Sequence, residues 1–130
     1  DVGCGGGLLS ESLARLGASR VVAIDPSNDL VQTAETRRTQ QIEQQQQLNN
    51  IHYRGGISIE DLVKSSNENQ QNNSNNLLKS FDIICILEVL EHVQDVDSVL
   101  QAASELLKDD NHNDNNATLF ISTINRTLLS

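Results

Sequence analysis

The chain has no apolar stretch long enough to cross a bilayer, which takes about 20 consecutive apolar residues. Its longest apolar runs, near Val21 and Phe81, have the length of strands. Cysteine is scarce: Cys4 and Cys85 have neither the spacing of a disulfide framework nor the neighbours of a metal cluster, so both read as reduced, packed thiols. Positive charge is scarce too, with 9 Lys and Arg against 18 Asp and Glu and a formal net charge of -9. Phosphate neutralisation needs clustered Lys and Arg, and here they are scattered, so no nucleic-acid partner is expected. Little strand material precedes the first glycines, only Asp1 and Val2. The chain is therefore read as a partial domain, incomplete at both ends and a doubtful autonomous folder. A targeting peptide would lie upstream and is not visible.

What is present begins with Asp1-Val2-Gly3-Cys4-Gly5-Gly6-Gly7, then a helical pattern, then Val21-Val22-Ala23-Ile24 ending in Asp25. Glycines let a backbone approach a ligand and adopt positive φ. An acid about 20 residues beyond such a turn, at a strand's end, can accept hydrogen bonds from both hydroxyls of a ribose. Gly3, Gly5 and Asp25 are thus candidate residues for a nucleoside-containing cofactor. The plain alternative is a tight strand-to-helix turn with glycines that serve packing. A nucleophilic Cys4 at the following helix's N-terminus is a further alternative, with no obvious partner base.

Along the chain, Leu9, Leu13 and Leu16 recur at helical spacing before Gly17, which predicts a helix over 8–16. Val21 to Ile24 reads as a strand, and Leu30, Val31 and Ala34 begin a helix expected to fade near Arg38. Ile51 to Arg54 reads as a strand and Ile57 to Leu62 as a turn into a brief helix. Phe81 to Ile86 reads as a second strong, central strand and Val21 to Ile24 as one buried on both faces, with Val96 to Leu107 as a helix and Thr118 to Ser122 as a strand. Three polar stretches, 39–50, 65–76 and 109–116, are placed as surface insertions because their Gln, Asn, Ser and Asp content buries too little apolar area to offset ordering entropy. The βαβα alternation predicts an α/β fold: a doubly wound, Rossmann-like, mostly parallel sheet with helices on both faces.

Ligands of such sheets collect beyond the carboxyl ends of strands. The expected ends are the glycine loop, Asp25, Glu60-Asp61, and the stretch 87–93. Asp61 and Leu87 could frame an adenine, one with a polar group and one with an apolar side chain. An acidic helix start and ordinary core packing are their plain alternatives. If 87–93 is helical, Glu88, Glu91 and His92 share one face. Two carboxylates and an imidazole can hold magnesium, or equally zinc, manganese or iron. A cation there would lower the pKa of a phenolic substrate, and without one His92 could accept the proton itself. An acid-rich helix start with a capped histidine is the alternative reading. Ser10, Glu11 and Ser12 could hydrogen-bond near the loop, though capping explains them adequately, His52 and His112 carry little claim, and Asn125 and Arg126 could border a substrate pocket.

The segments Asp1 to Ala18, Ile24 to Ser27, Leu87 to Val93 and Phe120 to Thr127 resemble the ubiquinone-biosynthesis O-methyltransferases, within the seven-stranded class that uses S-adenosylmethionine. The Glu-x-x-Glu-His segment and the Ser-Thr-x-Asn-Arg strand end are the specific parts. The resemblance implies a methyltransferase acting on catechol-type hydroxyls of polyprenylated dihydroxybenzoate and demethylubiquinol intermediates. It implies S-adenosylmethionine at Gly3, Asp25 and Leu87, with Mg2+ at Glu88, Glu91 and His92. It also implies a peripheral position on the matrix side of the mitochondrial inner membrane and work within a ubiquinone-biosynthesis protein complex. Two rivals stay open: an NAD-dependent oxidoreductase, and a noncatalytic nucleoside-binding assembly subunit.

Overall fold

The computed structural model describes residues 1–43, 48–68, 76–109 and 117–124. The chain divides into two compact units, Asp1–Ser58 and Ile59–Ser130. Among the described residues the strands form two two-stranded parallel sheets, one in each unit.

In the first unit a glycine loop leads into helix α1 (Leu8–Arg15), followed by strand β1 (Val21–Asp25), helix α2 (Asn28–Glu43) and strand β2 (Ile51–Gly55). β1 pairs with β2 in parallel, from Val21 opposite Ile51 to Asp25 opposite Gly55. Val2 bridges Ile24, also in parallel, through Ile24 N–H donating to Asp1 O and Gly3 N–H donating to Ile24 O. β1 is therefore flanked on both edges, and all five of its residues are buried, as its unbroken apolar run predicts. Gly17 ends α1 at positive φ, with its N–H on Ala14 O, a common helix stop.

Two details of this unit depart from the sequence pattern. The leucine stripe of α1 is only partly its buried face: Leu13 packs against the core but Leu16 is 84% exposed, and the buried residues are Ser10, Glu11 and Ala14. A polar face can be buried when its charges are paired, and Glu11 is paired three times over, as described below. α2 also continues to Glu43 rather than fading near Arg38, consistent with the fair helical propensity of Gln. Leu48, within the Gln-rich stretch, is fully buried with Cys4, Ala14, Val21, Ala23, Val31 and Ile51.

In the second unit, helix α3 (Ile59–Glu68) is followed by strand β3 (Ile83–Leu87), a 3-10 turn (Leu90–His92), helix α4 (Val96–Leu106) and strand β4 (Thr118–Ser122). β3 and β4 are parallel, from Ile83 opposite Thr118 to Leu87 opposite Ser122. Asp95 caps α4 by accepting the Ser98 N–H, the expected use of an acid at that position. The apolar faces of α3 (Ile59, Leu62, Val63) and α4 (Val99, Ala102, Ala103, Leu106) are buried. β3 starts later than the apolar run suggests. Phe81 stands outside it as a single bridge to Leu107, and Ile83 and Leu87 are exposed while Ile84, Cys85 and Ile86 are buried. β1 is thus buried along its whole length, as expected, whereas β3 is exposed at both ends.

Candidate functional site

The best-formed site in the first unit lies where β1 ends. The Asp25 carboxylate is 8% exposed and held by two backbone donors: Gly5 N–H reaches Oδ2 at 2.9 Å, and Ser27 N–H reaches Oδ1 at 2.8 Å. Each oxygen has accepted one bond, and a carboxylate offers about four lone-pair positions, so capacity for two hydroxyl donors remains. The loop is tied at its start by Gly3 N–H and Cys4 N–H, which both donate to Ile24 O, at 2.9 and 3.0 Å. Gly5 has φ of +51°, and a Cβ built on Gly5 or on Gly6 would meet nothing within 4 Å. The loop therefore presents bare backbone to open space beside a fixed carboxylate. Gly3, Gly5 and Asp25, singled out in the sequence, come together here through Ile24 and the Gly5–Asp25 bond, an arrangement of the kind that nucleoside-binding turns use.

Cys4 is part of the loop but not a nucleophile. Burial first, and the Asp25 charge second, push its thiol up to about 11, so the reactive thiolate is disfavoured. Burial likewise raises Cys85.

Beneath the loop lies a polar network that capping arguments do not anticipate. Glu11 accepts from Arg37 Nε at 2.8 Å, Gln41 Nε2 at 3.1 Å and Arg15 Nη2 at 3.3 Å. Ser10, fully buried, donates to the Asp1 carboxylate. Tyr53 Oη on β2 donates to Gly7 O at 3.4 Å. Burial, then the Glu11 charge, push the Tyr53 phenol up to about 12, against the opposing pull of Arg37 and of a hydrogen bond with Ser10. Arg15 at i+4 from Glu11 is the one local signal for this network. Its other partners stand 26 to 46 residues away in sequence, beyond the reach of spacing.

In the second unit, Asp61 sits in the first turn of α3 with its side chain half exposed and Lys64 Nζ 3.9 Å away. Leu87 is the last residue of β3 and 37% exposed. The stretch beyond it corrects the expected magnesium site at Glu88, Glu91 and His92. It is not an α-helix: Glu88 has φ of +55° and only Leu90–His92 form a 3-10 turn, so the α-helical face that would align the three side chains does not exist. The two carboxylates are instead engaged by the end of β4, Glu88 Oε1 by Ser122 Oγ at 2.6 Å and Glu91 Oε2 by Thr123 Oγ1 at 3.0 Å. The backbone repeats the first tie, Glu88 N–H donating to Ser122 O at 2.9 Å. The Glu91 carboxyl is held low by its own backbone N–H first, and also by the hydrogen bond from Thr123. Among the described residues no group of three or more His, Cys, Asp or Glu side chains could hold a metal ion, so the magnesium site expected at Glu88, Glu91 and His92 is not supported. No helix among the described residues is long and apolar enough to cross a membrane.

His52 is exposed on β2. His112, Asn125 and Arg126 lie outside the described residues, as do parts of all three polar stretches.

Comparisons with known proteins agree with the loop's geometry. A family model described as a methyltransferase domain matches residues 1–129. The chain is 39% identical over 130 residues to a mitochondrial ubiquinone biosynthesis O-methyltransferase of Bos taurus, covering all of this chain and 29% of that protein. It is 42% identical over 127 residues to a ubiquinone biosynthesis O-methyltransferase of Xanthomonas oryzae, covering 98% of this chain and 43% of that one. The chain thus spans well under half the length of these relatives. A solved S-adenosylmethionine-dependent methyltransferase from Mesorhizobium loti superposes with a TM-score of 0.59 over 82% of this chain and 39% of its own, at 21% identity, a likeness of fold.

Proposed function

Starting from a chain that belongs to the methyltransferase-domain family, in the branch of the ubiquinone biosynthesis O-methyltransferases, we propose that the whole protein methylates a phenolic hydroxyl in ubiquinone biosynthesis, with S-adenosylmethionine as donor. The observation that carries this reading is the buried Asp25 carboxylate, fixed by Gly5 N–H beside bare glycine backbone. Bound there, the cofactor supplies a sulfonium methyl that is already electrophilic, so the protein's task is alignment and proton management. Gly3 and Gly5 would lie against the cofactor, and Asp25 would accept from its ribose hydroxyls with the lone pairs its backbone donors leave free. Asp61 and Leu87 would take their expected part in cofactor binding. To His92 and Glu88 we assign the handling of the phenol's proton, His92 as its acceptor.

The finer points of the proposal are a polyprenylated catechol substrate, a mitochondrial setting like that in the bovine relative's name, and association with other proteins of the pathway. A seven-stranded sheet in the whole protein belongs to the same proposal. Nothing in the comparisons favours the dehydrogenase or the noncatalytic subunit. The test is transfer of labelled methyl from S-adenosylmethionine by the full-length protein to prenylated and unprenylated catechols. Methyl ether formation is expected with the prenylated substrate favoured, and no transfer to either would overturn the assignment.

A further inference from the structure

Three groups of residues fix the glycine loop: Ile24 O at its start, Asp25 in its middle and, at Gly7, the network of Ser10, Glu11, Arg37 and Tyr53. In the third group Ser10 and Glu11 are buried. Gly7 O accepts from Glu11 N–H at 3.0 Å and from Tyr53 Oη at 3.4 Å. Gly7 itself has φ of +79°, and a Cβ there would come within 2.2 Å of Tyr53 Oη. The phenol is therefore packed directly against the backbone at the point where loop becomes helix.

Glu11 is 2% exposed, and a buried carboxylate is tolerated only with its charge compensated. Here α2 supplies Arg37 and Gln41 while α1 supplies Arg15. Arg37 reaches Glu11 through Nε, while its Nη2 is buried with no hydrogen-bond partner. Plain packing between α1 and α2 would be served as well by apolar residues, often with a gain in stability. A fully buried Ser10, a paired Glu11 and a phenol with its oxygen on a loop carbonyl point instead to a device that sets one backbone geometry.

We infer that Tyr53 and Glu11 are positioning residues for the cofactor loop, holding Gly7 so that the Gly5–Gly6 backbone stands preformed beside Asp25. This rests on the proposed role of that loop in binding S-adenosylmethionine. A preformed loop pays no ordering cost when the ligand arrives, so loosening it should appear in cofactor affinity.

The experiment uses the full-length protein with Tyr53→Phe, Glu11→Gln and Asp25→Ala, measuring S-adenosylhomocysteine affinity, KM for each substrate, kcat and thermal midpoint. Tyr53→Phe removes one hydrogen bond and keeps the ring. It should weaken S-adenosylhomocysteine binding and raise KM for S-adenosylmethionine by roughly three- to tenfold, the net effect of one such bond. KM for the catechol should not move. Glu11→Gln should shift the same two quantities further, and if that variant fails to fold, Tyr53→Phe decides alone. A lowered thermal midpoint with cofactor affinity unchanged in the folded variants would mean that the network only stabilises the fold, and would overturn the inference while Asp25→Ala still weakens binding. Unchanged affinity in Asp25→Ala would instead overturn the cofactor site itself, and the inference with it.

Discussion

Replacing Gly7 with alanine should destabilise the protein far more than the same change at Gly5, although both glycines have positive φ. At Gly5, with φ of +51° and nothing within 4 Å of a built Cβ, the cost is that of an L-residue in the left-handed region, roughly 1 to 2 kcal/mol. At Gly7 the same conformational cost applies at φ of +79°, and the added methyl would stand 2.2 Å from Tyr53 Oη and 2.9 Å from Ala34 Cβ. Overpacking of this kind adds roughly 1 to 3 kcal/mol. The Gly7 variant should therefore lose about 2 to 5 kcal/mol, a large share of the 5 to 15 kcal/mol that domains usually have. Urea unfolding reads this as a fall in midpoint at constant slope. Because the phenol oxygen is the nearest obstacle, Tyr53→Phe in the Gly7→Ala background should return about 1 kcal/mol, a coupling that a double-mutant cycle isolates. Equal losses at Gly5 and Gly7, or no coupling between Gly7 and Tyr53, would refute the packing of the phenol beneath the loop.

Leu48→Ala should cost roughly 2 to 5 kcal/mol in the same urea assay, because a fully buried leucine leaves a cavity. His92→Ala should lower kcat by about two to four powers of ten with S-adenosylhomocysteine affinity unchanged, and an unaltered kcat would remove His92 from proton handling. Stability should fall in alkali. The folded Cys4 and Tyr53, raised to about 11 and about 12 from the ordinary 9.0 and 10.0, keep protons that the unfolded chain releases. Their contribution is whole below pH 9 and is lost as pH rises through the folded values. Each shift is worth on the order of 2 kcal/mol at most, and Cys4→Ala should abolish the part that begins near pH 9.

The alternation of strands and helices was legible because apolar runs and helical spacing are local. Val21 to Ile24, Ile51 to Arg54 and Thr118 to Ser122 all fall in strands. The pairing of the glycine loop with Asp25 was legible for a related reason: a turn and a strand-end acid at that separation have few other uses. What escaped was set by distant partners. Leu13 does pack on the core, but the burial of Glu11 on α1 depends on Arg37 and Gln41. Leu48 is buried despite its glutamine-rich surroundings, since a single leucine at the entry to β2 outweighs a polar composition only once the core it joins is known. The 87–93 stretch satisfies helical spacing on paper, yet Ser122 holds Glu88 by backbone and side chain in a left-handed conformation that no helix admits.

The account stands most directly on the carboxylate at the end of β1. Titration of the full-length protein with S-adenosylhomocysteine, wild type against Asp25→Ala, should show binding weakened by about 1.5 to 3 kcal/mol, roughly 10- to 150-fold, the worth of hydrogen bonds to a charged group. NADH should not bind the wild type. Equal affinity of the two proteins for S-adenosylhomocysteine, or NADH bound in its place, would contradict the account.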